Sequence, residues 1–191
     1  MVVRSTSLTN EVCYHGLRMT ADEYLALPET DGRYELVDGV AILAPSPSFE
    51  HQDIVLELAC QLRVFLQSHP IGSVVTEVDV RLRDDLVYRP DVVYLSQSTR
   101  ARIRGAVTEI PQLVVEVVSP GAAKRDLLEK RRDYEAAGVA EYWVIDAQAG
   151  EMHFFGIENG RYVALPVAGD EFRSKAVPGF VLRLELVRAL F

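Results

Sequence analysis

The sequence predicts an α/β protein in which a central mixed β-sheet is flanked by helices, and three observations carry that prediction. Residues 113 to 118, Leu-Val-Val-Glu-Val-Val, are almost purely β-branched, as in a strand covered on both faces. A charged helical stretch over 123 to 137 follows, and an apolar segment from Tyr142 to Ile145 returns. Together they make a strand–helix–strand unit long enough for a parallel crossover. Upstream, Asp38-Gly39 separates two short apolar segments and signals a tight antiparallel hairpin.

The elements follow in chain order. Residues 1 to 18 lack sustained periodicity and read as a loosely held leader, leaving 19 to 191 as one domain. Thr20 begins a short helix as its cap, with Asp22 and Glu23 in the first turn and a stop at Pro28. The hairpin strands are Tyr34 to Val37 and Val40 to Leu43. Ile54, Leu58, Leu62, Phe65 and Leu66 then recur at helical spacing over 49 to 67, the longest helix expected. Val74 to Leu82 alternates with the period of a strand, Asp84-Asp85 turns the chain, and Val87 to Leu95 returns, with Pro90 confined to an edge or bulge. Gln97 to Gly105 is a polar connection carrying Arg100, Arg102 and Arg104. Ser119-Pro120-Gly121 breaks the β-branched strand, Gly138 caps the helix after it, and Met152 to Ile157 and Arg161 to Leu165 complete the strands.

Length and composition bound the function. A chain of 191 residues fits one core, and 49% hydrophobic with 25% charged residues is the balance of a globular protein. No apolar run approaches the ~18 residues of a membrane span, and the opening segment has no secretory h-region. Cys13 and Cys60 have no C-x-x-C spacing and read as buried or idle thiols, so the cytoplasm is the expected compartment. A net charge of −8 argues against indiscriminate binding to a polyanion, although an acidic cluster that captures a divalent cation reconciles the two. There is no Gly-rich phosphate loop and no G-x-S-x-G, and His15, His69 and His153 show no zinc spacing.

The charge inside the β-branched strand is the most informative feature. An unpaired buried carboxylate costs several kcal/mol, so Glu116 needs a cation, a donor cluster or water. Asp91, at the head of Asp-Val-Val-Tyr-Leu, has the same need, and adjacent strands would bring the two together. Paired carboxylates suit Mg²⁺ or Mn²⁺. Asp126, Lys130 and Tyr134, spaced i, i+4 and i+8, share a helix face from which Lys130 would reach the acids. The plainer reading of Lys130 is a solvated i, i+4 ion pair with Asp126, worth only ~0.3 to 0.5 kcal/mol.

The motif order Arg-Pro-Asp-Val-Val-Tyr at 89 to 94, Val-Val-Glu-Val-Val-Ser-Pro at 114 to 120, Lys130, Tyr134 and Gly-Val-Ala-Glu-Tyr-Trp-Val-Ile-Asp at 138 to 146 resembles the Uma2 family (DUF820). Tyr-Glu-Leu-Val-Asp-Gly at 34 to 39 and Pro-Ser-Pro-Ser-Phe-Glu-His at 45 to 51 fit it too. The resemblance spans about residues 19 to 187. It implies a restriction endonuclease-like core of the PD-(D/E)XK class and a Mg²⁺- or Mn²⁺-dependent endonuclease that cleaves DNA with a metal-activated water. By the same resemblance Asp91, Glu116 and the Val117 carbonyl are metal ligands, Glu35 is an upstream acidic member and Lys130 is the catalytic lysine. Val118 stands where the class motif has its lysine, so Lys130 acts from the helix instead.

Each of these residues also has a plainer role. Asp91 would cap a turn after Pro90, Glu35 would face solvent, and His51 would be a cap, a surface residue or a phosphate contact. The arginines 100, 102 and 104 would hold a DNA backbone or simply line a solvated loop, while Tyr142 and Trp143 fill the core. Two rival functions stay open: a non-catalytic nucleic-acid or protein binding module on the same fold, and a metal-dependent hydrolase of another phosphate ester. Cleavage of both strands of a duplex needs two sites, which would suit a homodimer.

Overall fold

In the computed structural model, which describes residues 13–28, 32–119 and 123–191, two β-sheets are joined by one long hairpin that runs through both. The chain runs α1 (Ala21–Leu25), β1 (Tyr34–Val37), β2 (Val40–Leu43), α2 (Phe49–Ser68), β3 (Gly72–Thr76), β4 (Val80–Arg83), β5 (Leu86–Tyr88) and β6 (Val92–Ser96). Then come α3 (Gln97–Arg102), β7 (Leu113–Val117) and α4, whose wide π-helical opening Arg125–Lys130 continues as α-helix Arg131–Ala137. β8 (Glu141–Asp146), β9 (Glu151–Glu158), β10 (Arg161–Ala164), β11 (Glu171–Arg173), β12 (Val181–Arg183) and α5 (Leu184–Arg188) complete it.

The large sheet has the order β10-β9-β8-β7-β6-β3 and is mixed: β7 and β8 are parallel, joined across α4, and the other pairs are antiparallel. The small sheet, β2-β1-β5-β4, is antiparallel. This is the helix-flanked mixed sheet that the sequence predicts. Asp38 and Gly39 both take positive φ, 48° and 73°, as the two-residue β1–β2 turn requires. Gly138 caps α4 at φ 84°.

Three expectations need correction. The strand predicted over 74 to 82 and its partner over 87 to 95 are each divided, because the hairpin bends from the large sheet (β3, β6) into the small one (β4, β5). Glu77 takes φ 51° at one side of the corner, and Pro90, with no N–H to donate, stands at the other. Arg89 clamps the corner with two hydrogen bonds to Asp79, 2.8 and 3.0 Å. The polar connection over 97 to 105 begins instead as α3, started by Ser96, whose Oγ accepts from Thr99 N. Residues 13–18, expected to be loose, are tied down: Gly16 N donates to Ala41 O, Ala41 N donates to Leu17 O, and Tyr14 packs edge-on against Tyr34. The break expected at 119 to 121 falls largely on residues 120–122, outside the described residues.

Side-chain alternation assigns each face. Val115, Val117, Trp143, Ile145 and Phe154 pack under α2 and the C-terminal elements, which supply Phe172, Phe180, Leu182 and Val187. The opposite face, Val114, Val118, Tyr142 and Val144, packs under Tyr134 of α4 and against Leu86 and Tyr88 of the small sheet. α1 covers the outer face of the small sheet at Tyr34, Leu36 and Val87. Tyr142 and Trp143 are core residues, as expected, whereas Cys13 and Cys60 are free and exposed rather than buried.

Glu141 fastens the C-terminal segment to the sheet. Its buried carboxylate accepts from Trp143 Nε1 (2.7 Å) and from the backbone N–H groups of Lys175 (2.8 Å) and Ala176 (3.0 Å). Glu141→Ala strands all three donors and is expected to cost about 2 to 4 kcal/mol in urea denaturation. An unchanged midpoint would show that this carboxylate carries no structural weight.

Candidate functional site

The bend of the hairpin builds the site. β6 pairs with β7 so that Val92 faces Val115, and Asp91, the residue just before β6, reaches β7 by accepting the Val117 N–H. Glu116 alternates with Val115 and Val117 and so shares the face of Val114 and Val118, the side under α4. β1 contributes Glu35 from the small sheet, on the same side of its strand as Val37, which packs against the α4 core. All three acids are buried, each 4% exposed.

Lys130 joins them. Its Nζ lies 2.8 Å from Glu116 Oε1, 3.2 Å from Glu35 Oε1 and 3.8 Å from Asp126 Oδ1, and 5.1 Å from the centre of the Tyr88 ring. The Asp126–Lys130 pair expected on a solvated face is therefore buried, both residues being 5% exposed. Tyr134, one turn further on, donates its hydroxyl to the same Glu116 oxygen at 2.8 Å. Arg125 pairs with the other Glu35 oxygen, and Arg89 N donates to Glu35 Oε1 at 3.3 Å. Glu35 is thus not a solvent-facing residue.

His51 is not on the surface either. Ser48 caps α2 through the His51 backbone N–H, and the ring is 7% exposed. Nε2 donates to Asp91 Oδ1 at 3.0 Å, while Asp91 Oδ2 accepts the Val117 N–H at 2.7 Å. His51 Nδ1 is buried without a hydrogen-bond partner among the described residues. Asp91 is therefore a cross-strand and helix anchor, and the turn-cap reading does not describe it. Val117 meets Asp91 through its N–H, whereas the sequence reading assigned a role to its carbonyl.

A cleft of about 80 Å³ opens here, lined by Glu35, His51, Asp91, Glu116, Val117 and Lys130 with Arg33, Ser119, Arg125 and Asp126. A larger cavity of about 520 Å³ lies beside it and shares Tyr34 and Arg89. The arginines 100, 102 and 104 line neither the cleft nor any contact to it. They follow the far end of β6, about 17 Å along the strand from Asp91. Arg102 pairs there with Glu109, and Arg104 donates to the Ala101 and Ile103 carbonyls.

Sequence reasoning missed Arg125, which stands in a helix full of charges with nothing to single it out. It also missed the Arg89–Asp79 clamp, although Arg89 lies within a quoted motif.

The acids are only partly neutralised. When all are ionised, Glu35, Asp91, Glu116 and Asp126 bring four negative charges against the two positive ones of Lys130 and Arg125. Among the described residues no hydrogen bond reaches Glu116 Oε2 or the Asp126 carboxylate. Burial, reinforced by Asp91, Asp126 and Glu35 against the pull of Lys130, pushes Glu116 up to about 8. Burial also pushes Asp126 up to about 6. Glu35 moves the other way: burial is outweighed by Lys130 and Arg125. Lys130, which burial alone would drive down, is held above its ordinary value by Glu116, Glu35 and Asp126 and stays an ammonium.

The donor set fits a divalent cation in its chemistry: Asp91 and Glu116 bring hard carboxylate oxygens to one cleft, and an ion there would favour the ionised form of Glu116 that burial disfavours. Among the described residues no three His, Cys, Asp or Glu side chains converge as a ligand cage.

These shifts set a pH dependence. Between about 4.5 and 8 the folded chain holds a proton on Glu116 that the unfolded chain has lost, and Asp126 adds to this up to about 6. Stability without divalent ions is therefore expected to fall as pH rises through that window. The lowered Glu35 acts below it and the raised Lys130 above it. In thermal melts Glu116→Gln should flatten the slope, and added Mn²⁺ should stabilise more at pH 8 than at pH 5. A wild-type profile that rises from pH 5 to 8 would contradict the assignment.

The family model described as "Uma2: Putative restriction endonuclease" matches residues 21–185. No curated protein matches the chain. Among solved structures, a DUF820 protein from Anabaena variabilis ATCC 29413, described as a "putative nuclease", is similar with a TM-score of 0.73 and 20% identity. The match covers 90% of this chain and 98% of that one, and at this identity it shows a common fold. The fold, the order of the motifs and the extent of the family match agree, and the chain belongs to the Uma2 family.

Proposed function

We propose that this chain is a Mg²⁺- or Mn²⁺-dependent endonuclease that hydrolyses DNA phosphodiester bonds at the junction of its two sheets. One observation carries the reading: four buried carboxylates, Glu35, Asp91, Glu116 and Asp126, line one cleft together with the buried Lys130 and the partly exposed Arg125. The family's description and the described role of the similar Anabaena protein point the same way.

Asp91 and Glu116, with the Val117 backbone beside them, would hold the ion. A divalent cation supplies, when bound, a lowered pKa for water and a counter-charge for phosphoryl oxygens. The chain's own groups supply the rest. His51 fixes the orientation of Asp91, and Tyr134 fixes that of Glu116. Lys130 serves as a permanent positive charge near the reacting phosphate rather than as a base, because its neighbours hold its proton. Glu35, itself paired with Arg125, holds Lys130 in place, and both extend the polar wall of the cleft. A bound ion also reverses the local field, which lets an acidic protein approach a polyanion.

A second reading has one observation in its favour: Glu35, Asp91 and Glu116 each already accept a hydrogen bond from the protein. A binding module that keeps the fold without turnover would look the same in this respect. Calorimetry with Mn²⁺, alongside cleavage assays on plasmid, single-stranded and short duplex DNA, separates the two. The enzyme should take up the ion and cleave. Asp91→Asn and Glu116→Gln should lose both properties. Lys130→Met, checked for folding, should keep ion uptake but lose about 100-fold or more in rate. A wild-type protein that binds no ion and cleaves none of these substrates sinks the proposal, and cleavage confined to small phosphodiesters would move it to another phosphate ester.

A further inference from the structure

The outer face of α2 carries a second, unassigned surface. This helix packs Ile54, Leu58 and Leu62 inward, yet its outward side shows Phe49 at 79% exposure, Leu56 at 60% and Val64 at 66%, with Cys60 also exposed. Isolated exposed apolar residues are ordinary, but these recur along one helical face. Phe49, Asp53, Leu56, Cys60, Arg63 and Gln67 are spaced 4, 3, 4, 3 and 4, the alternation of a coiled-coil seam running about 27 Å.

Charge says what covers the seam. The Asp53 and Arg63 side chains form no ion pair or hydrogen bond among the described residues. They stand symmetrically about residue 58. We propose that α2 pairs antiparallel with the α2 of a second copy of this chain, with the two-fold axis beside position 58. In that register Asp53 faces the second copy's Arg63, twice over. Leu56 faces the second copy's Cys60, and Phe49 packs over the second copy's Gln67, with Val64 at the flank. A parallel pair would set Asp53 against Asp53 and Arg63 against Arg63, which like charges oppose. An isologous contact of this kind closes as a dimer instead of growing into a fibre. The inference does not depend on the nuclease reading, because none of these side chains lines the carboxylate cleft.

The test is the solution mass of the full chain by light scattering or sedimentation over a wide concentration range, with circular dichroism as the folding control. Wild type is expected to dimerise. Asp53→Arg or Arg63→Asp alone should raise the dissociation constant about tenfold or more, and the double exchange should restore it. Register is tested by oxidation in a Cys13→Ser background. Leu56→Cys should cross-link rapidly to the second copy's Cys60. Native Cys60 alone should cross-link far more slowly, since the two copies of Cys60 would be offset by about 6 Å along the axis, whereas residue 56 and the second copy's Cys60 would face each other at one level. A monomeric wild type overturns the proposal, as do single charge exchanges without effect, a double exchange that fails to restore, or Cys60 cross-linking to itself faster than Leu56→Cys does.

Discussion

The arrangement of this protein turns on one buried ammonium. Lys130 reaches from α4 into the junction of the two sheets, where Glu116 belongs to the large sheet and Glu35 to the small one. Removing either acid would leave a buried positive charge short of a partner, and removing the lysine would leave two or three carboxylates repelling one another. Packing alone does not require such a cluster. Apolar residues of similar volume fill cores at no electrostatic cost, so packing stability does not account for the cluster.

The chain order explains how such distant residues meet. Glu35, Glu116 and Lys130 come from three elements and Asp91 from the bend just before a fourth, and each is set by a local rule: strand alternation for Glu35 and Glu116, the corner after Pro90 for Asp91, and helical spacing for Lys130. The wide turns of α4 over Arg125–Lys130 coincide with the segment that presents Arg125, Asp126 and Lys130 to the cleft. Such widened turns recur at functional sites in helices.

Much of this was legible from residue order. Glu116 stands out because a charge among β-branched neighbours is costly, the Asp38-Gly39 turn and the Gly138 cap are dictated by backbone sterics, and the parallel β7–β8 crossover follows from its length. The bend was not legible, because apolar alternation passes smoothly through 74 to 82 while the backbone turns at Glu77, a residue with no intrinsic preference for positive φ. For the three arginines near residue 102 residue order left a DNA contact and a solvated loop both open, and the chain carries them past the end of β6 remote from Asp91, because a strand separates its two ends by its whole length. β11, β12 and α5 are three to five residues each, too short to show a period, and they owe their form to packing against Trp143 and Phe154.

The corner clamped by Arg89 and Asp79 has a consequence for how this architecture tolerates change. The hairpin has two ends of very different character: the Asp84-Asp85 turn at its tip is exposed and remote from the acids, whereas the corner fixes where Asp91 enters the sheet. Added or deleted residues at the tip would lengthen a loop and little else. One residue gained between Arg89 and Val92 would shift the β6 ladder by a step and turn Asp91 to the other side of the sheet, away from Glu116. Length variation in related chains should therefore gather at the tip and spare the corner.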